Sequence, residues 1–415
     1  MRAWSRFCVL FSFFCIPASA STPLPTDEHG DYNGSDLIEW IKSHPEGDVH
    51  PSLRIGRERP GDPTSILGLF VSSDGDAIEK GDVIAQIPWS HLIHPDAKYD
   101  KRRKFFSCRA IYNLAKELRL GERSRRAPYV RYLLTQPRGI MPGEWTAAGK
   151  EFLAEVLGRG ELPPYEETWR ETFEETWIEG CSADEDDEIG RAAFWLATSR
   201  DEDTLMVPVY DMANHSNDPR RLNTRSFKPD AAGDPFRLVA SARIAPGEQI
   251  FNSYNRCNQC SDVDEKSCDT FSHSRTPDLF ANFGFVEDHP QNWEFDPADD
   301  DEDSSDDDYE AEFEFCLERD PESGELEALW EDEDELPGGR GVAWLRTQYQ
   351  RLAKIFGDKE KLEGELVRGG DDEGDDGERM TRWEWESIWR YHGALSQALD
   401  AVIQSTSKEL EWDEL

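Results

Sequence analysis

The chain has 415 residues, 37% of them hydrophobic with 14 Trp and 21 Phe: enough for packed cores and too long for a single one, so two or three domains are expected. A formal net charge of −41 argues against a nucleic-acid backbone as partner and favours basic proteins. Solvated surface and acidic linkers account for most of that charge, so on its own it is no binding signal.

Residues 1–20 read as a secretory signal peptide, with Arg2 and Arg6 before the apolar run Phe7 to Ile16 and a small-residue cleavage site at Ala18-Ser19-Ala20. The run is too short to span a bilayer, and no later stretch is long and apolar enough, so no membrane contact is expected after cleavage. The alternative is the first half of a two-part plastid presequence, against which Ser21 to Asp31 carries acids and no Lys or Arg. Trp412-Asp413-Glu414-Leu415 matches three of the four residues of a Lys-Asp-Glu-Leu retention tail. The secretory pathway is therefore expected, with retention in the endoplasmic reticulum lumen as a hypothesis.

Ser35 and Asp36 open a helix with Leu37, Ile38, Trp40 and Ile41 on its stripe. Strands are expected at 66–71 and 82–87. The second is entered through Ile78 to Ile84, whose pattern Ile-x-x-Gly-acid-x-Ile returns at Ile244 to Ile250, so two strands share one turn type. From 101 to about 198 the period becomes helical: Ala110, Ile111, Leu114, Ala115 and Leu118 share a face, as do Phe152, Leu153, Val156 and Leu157. Trp169, Phe173 and Trp177 recur every four residues, a spacing that speaks for core packing, while Asp184 to Glu188 reads as a solvated loop. An apolar run from Val207 ends, as a strand, in Asn214-His215-Ser216, and the turn Ala245-Pro246-Gly247-Glu248 feeds a short strand ending on Tyr254. After Val286 the blocks Asp299 to Asp303 and Asp306 to Asp308 are too charged to fold alone and read as linker. Helical stripes resume with Leu345, Tyr349, Leu352 and Phe356, then with Trp385, Ile388, Trp389, Leu395, Leu399 and Val402, around the acidic, Gly-rich segment 369–378.

The Asn-His-Ser cluster, the Gly-Glu turn and Tyr254, with Ser199-Arg200 before them and Asp278 to Val286 after, resemble the C-terminal half of a SET domain, the fold of S-adenosylmethionine-dependent protein methyltransferases. Order and spacing are similar to the subgroup that contains the RuBisCO large-subunit lysine methyltransferases and the actin-histidine methyltransferase. The resemblance implies an α+β chain, a split SET β-fold with an inserted helical subdomain and a short C-terminal helical lobe. Its divisions are a signal peptide 1–20, an N-terminal SET part 21–100, the helical insert 101–198 and a C-terminal SET part 199–290 with a Cys-rich insertion 255–275. An acidic linker 291–340 and a helical lobe 341–415 follow.

The same resemblance assigns S-adenosyl-L-methionine as cofactor, held by Leu67, Gly68 and Leu69 of the first strand, by Asn214 and His215, and by Arg200 facing its carboxylate. Tyr254 is the expected catalytic residue, and Phe283 and Phe285 line the acceptor channel. Methyl transfer from a sulfonium needs alignment and exclusion of water rather than a strong acid, and burial favours the neutral acceptor amine. The sequence departs from the family at Ile66 and Asn255, where glycine is usual. Cys257, Cys260, Cys268 and His273 have the chemistry of a tetrahedral zinc site. In an oxidising compartment Cys257, Cys260, Cys268, Cys108, Cys181 and Cys316 instead offer an even number for disulfides, which is the first expectation.

Three functions are thus open. The first is a methyltransferase acting on a lysine, or a histidine, of a protein substrate with a basic segment. The second is a degenerate SET module that binds a basic peptide without turnover, and the third is a calcium buffer built on the acidic runs, which lack ordered ligand spacing.

Overall fold

The computed structural model describes residues 25–62, 65, 67–95, 107–216, 218, 220–254, 275–296, 313–320, 322–330, 336–367 and 379–413. The expected signal peptide 1–20, the last two residues Glu414 and Leu415 of the expected retention tail, Ile66, Asn255, and the cluster Cys257, Cys260, Cys268 and His273 lie outside these residues.

Helix α1 (Ser35–Lys42) is followed by strands β1 (Asp48–Val49), β2 (Leu53–Arg57), β3 (Leu67–Val71) and β4 (Val83–Ile87). A helical block comes next: α2 (Cys108–Leu120), α3 (Ala127–Leu134), α4 (Ala147–Val156), α5 (Glu166–Trp169), a π-helical run Phe173–Glu179, and α6 (Glu188–Arg200). The chain then returns to strands β5 (Asp201–Glu202), β6 (Leu205–Met206), β7 (Asn214–His215), β8 (Thr224–Phe227), β9 (Phe236–Ala240) and β10 (Gln249–Asn252). Helix α7 (Thr276–Phe283) leads to β11 (Gln291–Phe295), β12 (Phe313–Arg319) and β13 (Leu326–Trp330), and then to α8 (Gly339–Gly357), α9 (Lys359–Leu366) and α10 (Arg382–Asp413). This is an α+β chain in which helices divide two sets of strands.

The two sets interleave. One sheet runs β1-β4-β9-β8 and the other β2-β3-β10-β7, so each draws strands from both sides of the helical block. The repeated turn explains how. Glu79 to Asp82 and Ala245 to Glu248 are both four-residue turns with glycine third, Gly81 at φ 94° and Gly247 at φ 83°, a conformation that L side chains avoid. In each, the acid's side chain accepts from the first residue's N–H, Glu79 to Asp82 at 3.0 Å and Ala245 to Glu248 at 2.7 Å. Ile78 and Ile244, which precede the turns, exchange backbone hydrogen bonds of 3.0 and 2.9 Å, locking the halves together.

Two hydrophobic clusters result. The first joins the β-strands of both halves to α1, α2, α3 and α6; the second joins α4, α5 and α7 to the C-terminal sheet and helices. The aromatic stripe is core, as its spacing indicates, but it is divided: Trp169 packs in the second cluster, Phe173 and Trp177 in the first. Cys108 and Cys181 form a disulfide between the start of α2 and the end of the π-helical run. By chain entropy alone, closing a loop of that size stabilises the fold by about 4 kcal/mol. Cys316 is disulfide-bonded as well.

The span 291–340 differs from the linker expected. It carries the antiparallel sheet β11-β12-β13, with Trp293, Phe295, Phe313, Phe315 and Leu317 buried. Acidic residues alternate with these apolar ones, so the composition hides a half-buried sheet. The run 207–213 is not a strand either: Tyr210–Met212 is a single 3-10 turn, entered through Val209 at φ 70°. A β-branched residue there is strained, and the strain sits five residues before Asn214.

Candidate active site

Asn214 and His215 lie parallel to Phe251 and Asn252 of β10, and the Ser216 N–H donates to the Asn252 carbonyl at 3.1 Å. β10 in turn pairs with β3, Ile250 opposite Leu69. The Asn214 side chain crosses to that strand, Nδ2 donating to the Leu67 carbonyl at 3.1 Å. Such closeness needs Gly68: a Cβ there would stand 2.5 Å from Asn214 Nδ2 and 2.9 Å from Gln249 Nε2. Gly68→Ala should therefore push Asn214 off Leu67 and lower stability by about 1 kcal/mol, the worth of one hydrogen bond. Urea unfolding checks this, and a midpoint equal to wild type would contradict it.

Tyr254 closes the arrangement. Its N–H donates to His215 Nδ1 at 2.9 Å, and its hydroxyl donates to the Ala213 carbonyl at 3.0 Å. Burial pushes the phenol up to about 12, with Arg200 pulling the other way, so it is neutral at physiological pH. The Phe283 ring lies 4.8 Å from the Tyr254 ring and that of Phe285 at 6.3 Å. Gly284 sets both phenylalanines in place: it ends α7 at φ 74°, and a Cβ would meet the Ile140 carbonyl at 2.4 Å. Phe283 and Phe285 are partly exposed rather than core.

These groups surround a cavity of about 570 Å³, lined by Leu67, Arg200, Asn214, Tyr254, Phe283 and Phe285 among the expected residues. That volume suits a small-molecule ligand. Gly68, Leu69 and His215 stand behind the wall: Leu69 is fully buried, and His215 acts through its bond to Tyr254.

Arg200 is the residue whose surroundings differ most from expectation. Its Nη1 donates to the Tyr132 hydroxyl at 3.0 Å and to the Asp211 carbonyl at 3.1 Å, its Nη2 to Gln136, and the Asp211 carboxylate lies 3.8 Å away. Tyr129 donates to that carboxylate at 2.9 Å. Burial raises Asp211 to about 6, against the opposing pull of Arg200. The fork that was to face a ligand carboxylate is thus held in a protein network, while its edge remains on the cavity wall. Arg57 and Arg138 on the same wall also have acid partners, Asp31 at 3.1 Å and Glu144.

Asp211, Tyr132 and Gln136 escaped the sequence reading. Asp211 carried a signal, a lone acid inside an apolar run; Tyr132 and Gln136 carried none, because α3 and the residues just after it meet the site only in space.

The comparison that bears on this geometry is with protein families. Residues 69–255 match the SET domain family model. That span contains the turn pair, Arg200, the Asn-His-Ser segment and Tyr254, with β4 to β10 and most of β3; β1 and β2 precede it. Among solved structures, the SET domain of LSMT bound to lysine and AdoHcy is similar, at 14% identity and a TM-score of 0.48, with 92% of this chain and 93% of that one covered. No curated protein matches the chain in sequence.

Proposed function

We propose that this SET-like chain is a protein methyltransferase, moving a methyl group from S-adenosyl-L-methionine to a lysine, or a histidine, of a protein substrate. The observation that carries the reading is one juxtaposition: Asn214 laid against the first SET strand, and Tyr254 tied to both His215 and Ala213 at the mouth of an aromatic-walled cavity. The cofactor, when bound, supplies an electrophilic methyl on a sulfonium sulfur.

The residues fit that group in a specific way. Gly68, behind the wall, lets the Asn214 side chain lie against β3, Leu67 and Asn214 bring polar groups to the cavity, and Arg200 presents the edge of a guanidinium. Phe283, Phe285 and Trp195 give the cavity apolar walls that favour a neutral acceptor amine. Tyr254, neutral and with its hydroxyl anchored on Ala213, holds the acceptor nitrogen in line through its remaining lone pairs. Transfer of labelled methyl from S-adenosylmethionine onto a protein extract, followed by hydrolysis to methyl-lysine or methyl-histidine, tests the activity. Absence of label in both, with folded protein, would contradict it.

One observation favours the second reading, a SET module that binds a basic peptide without turnover: both terminal nitrogens of Arg200 already have protein partners. Cofactor binding separates the two. The net charge of −41 supports a basic substrate segment and argues against nucleic acid.

For location we propose the secretory pathway, with the endoplasmic reticulum lumen as the place of retention. The Cys108–Cys181 disulfide supports it, since such bonds persist in oxidising compartments. Passage through the lumen exposes two sequons, Asn33-Gly34-Ser35 and Asn214-His215-Ser216. Asn33 is in a surface turn, whereas Asn214 is strand-paired with its amide bonded to Leu67. Peptide mass spectrometry of protein secreted or retained by eukaryotic cells should find glycan at Asn33 and none at Asn214. Glycan at Asn214 would contradict the folded site.

A further inference from the structure

The C-terminal sheet has an edge that the methyl-transfer reading does not use. β13 pairs with β12 on one side, and among the described residues no strand pairs with its other side. Alternate N–H and C=O groups of such an edge point outward, a template for another strand. Along it runs a groove of about 450 Å³, between Glu325 to Leu329 and the stretch of α10 around Asp400, and it shares no residue with the active-site cavity.

The lining has one sign of charge. Glu325, Glu327 and Asp400 face it, with no Lys or Arg among its lining residues. Glu327 stands directly across the ladder from Glu318, whose charge Arg220 offsets from its own side, while Glu327 lines the groove. Acids alone would only keep other strands away. Here the edge also exposes Leu329, 39% accessible, beside Ala401, an apolar seat within the acidic rim.

We propose that this groove docks an extended, lysine- or arginine-bearing segment of a partner protein, added as a fourth strand alongside β13. Main-chain hydrogen bonds give the affinity, and the charge opposite Glu327 and Asp400 selects the sequence. The proposal stands independently of methyl transfer.

Fluorescence anisotropy of the full chain with a short labelled peptide alternating lysine and valine tests it. Saturable binding is expected, weakened about tenfold or more by the surface reversals Glu327→Lys and Asp400→Lys together. Methylating alternate backbone nitrogens of the peptide should abolish binding, since strand addition needs those donors. Thermal unfolding of the double variant confirms that it is folded. No saturable binding, equal binding of a glutamate-valine peptide, indifference to the reversals, or indifference to N-methylation would each overturn the proposal.

Discussion

On the proposed function, Tyr254→Phe should reduce methyl transfer by roughly 100-fold while leaving cofactor affinity within a factor of about two, because that proposal has the hydroxyl position the reacting nitrogen rather than the donor. The geometry makes this a clean substitution. The ring keeps its contacts with Phe283 and Phe285, and the backbone bond from Tyr254 to His215 does not involve the side chain. Only the bond to the Ala213 carbonyl disappears, leaving that acceptor to water or to a neighbour. With the phenol pushed up to about 12, no tyrosinate contributes below that range, so the pH profile should show no Tyr254 inflection under about pH 11. Single-turnover rates with labelled cofactor, beside calorimetric affinities, check the separation. A variant that transfers at the wild-type rate would remove Tyr254 from the chemistry.

The largest loss of stability is expected at Arg200. Replacing it by Met leaves the Asp211 carboxylate, whose side chain is wholly buried, without its cation, and breaking a buried pair in this way costs about 3–5 kcal/mol. The double variant Arg200→Met, Asp211→Asn should recover much of that, since the amide still accepts from Tyr129 and carries no charge. Asp211 also gives a pH signature. Its ordinary value of 3.8 rises to about 6 in the fold, so between these the folded chain keeps a proton that the unfolded chain releases. Its contribution to stability is therefore full below about pH 4 and lost as pH rises through about 6, on the order of 3 kcal/mol for a shift of that size. Asp211→Asn should remove this slope. Denaturant melts of the single and double variants between pH 4 and 7 measure both effects; additive losses in the double variant would show that the two residues do not interact.

What the sequence disclosed and what it withheld follow from distance along the chain. The strands at 67–71 and 83–87 were legible because alternation and a glycine turn are local, and the helices at 108–120 and 382–413 because their stripes are. That 214–216 lies against the strand ending at Tyr254 followed from motif order, and the structure pairs them; the parallel register, Asn214 opposite Phe251, leaves no periodic trace. β8 and β9 were missed, being short and mixed in polarity, and β11 to β13 were masked by the acids between them. At the site, Tyr254, Asn214 and the phenylalanines came from motif order. The Arg200 network could not, since Tyr132, Gln136 and Asp211 come from two elements whose meeting is decided by the first hydrophobic cluster.

That cluster also frames the charge problem at the cavity. Each cavity-lining guanidinium, Arg57, Arg138 and Arg200, is balanced by an acid. A ligand carboxylate therefore meets an already neutralised wall, and affinity must come mainly from backbone groups near Leu67 and Asn214 and from burial of apolar surface.

The most direct measurement is calorimetric titration of the full folded chain with S-adenosylhomocysteine, beside Gly68→Ala. The account predicts one site per chain on the wild type and a loss of affinity of about tenfold or more when a methyl group fills the space between Leu67 and Asn214. Absence of binding to the folded wild type, or equal affinity in both proteins, would contradict it.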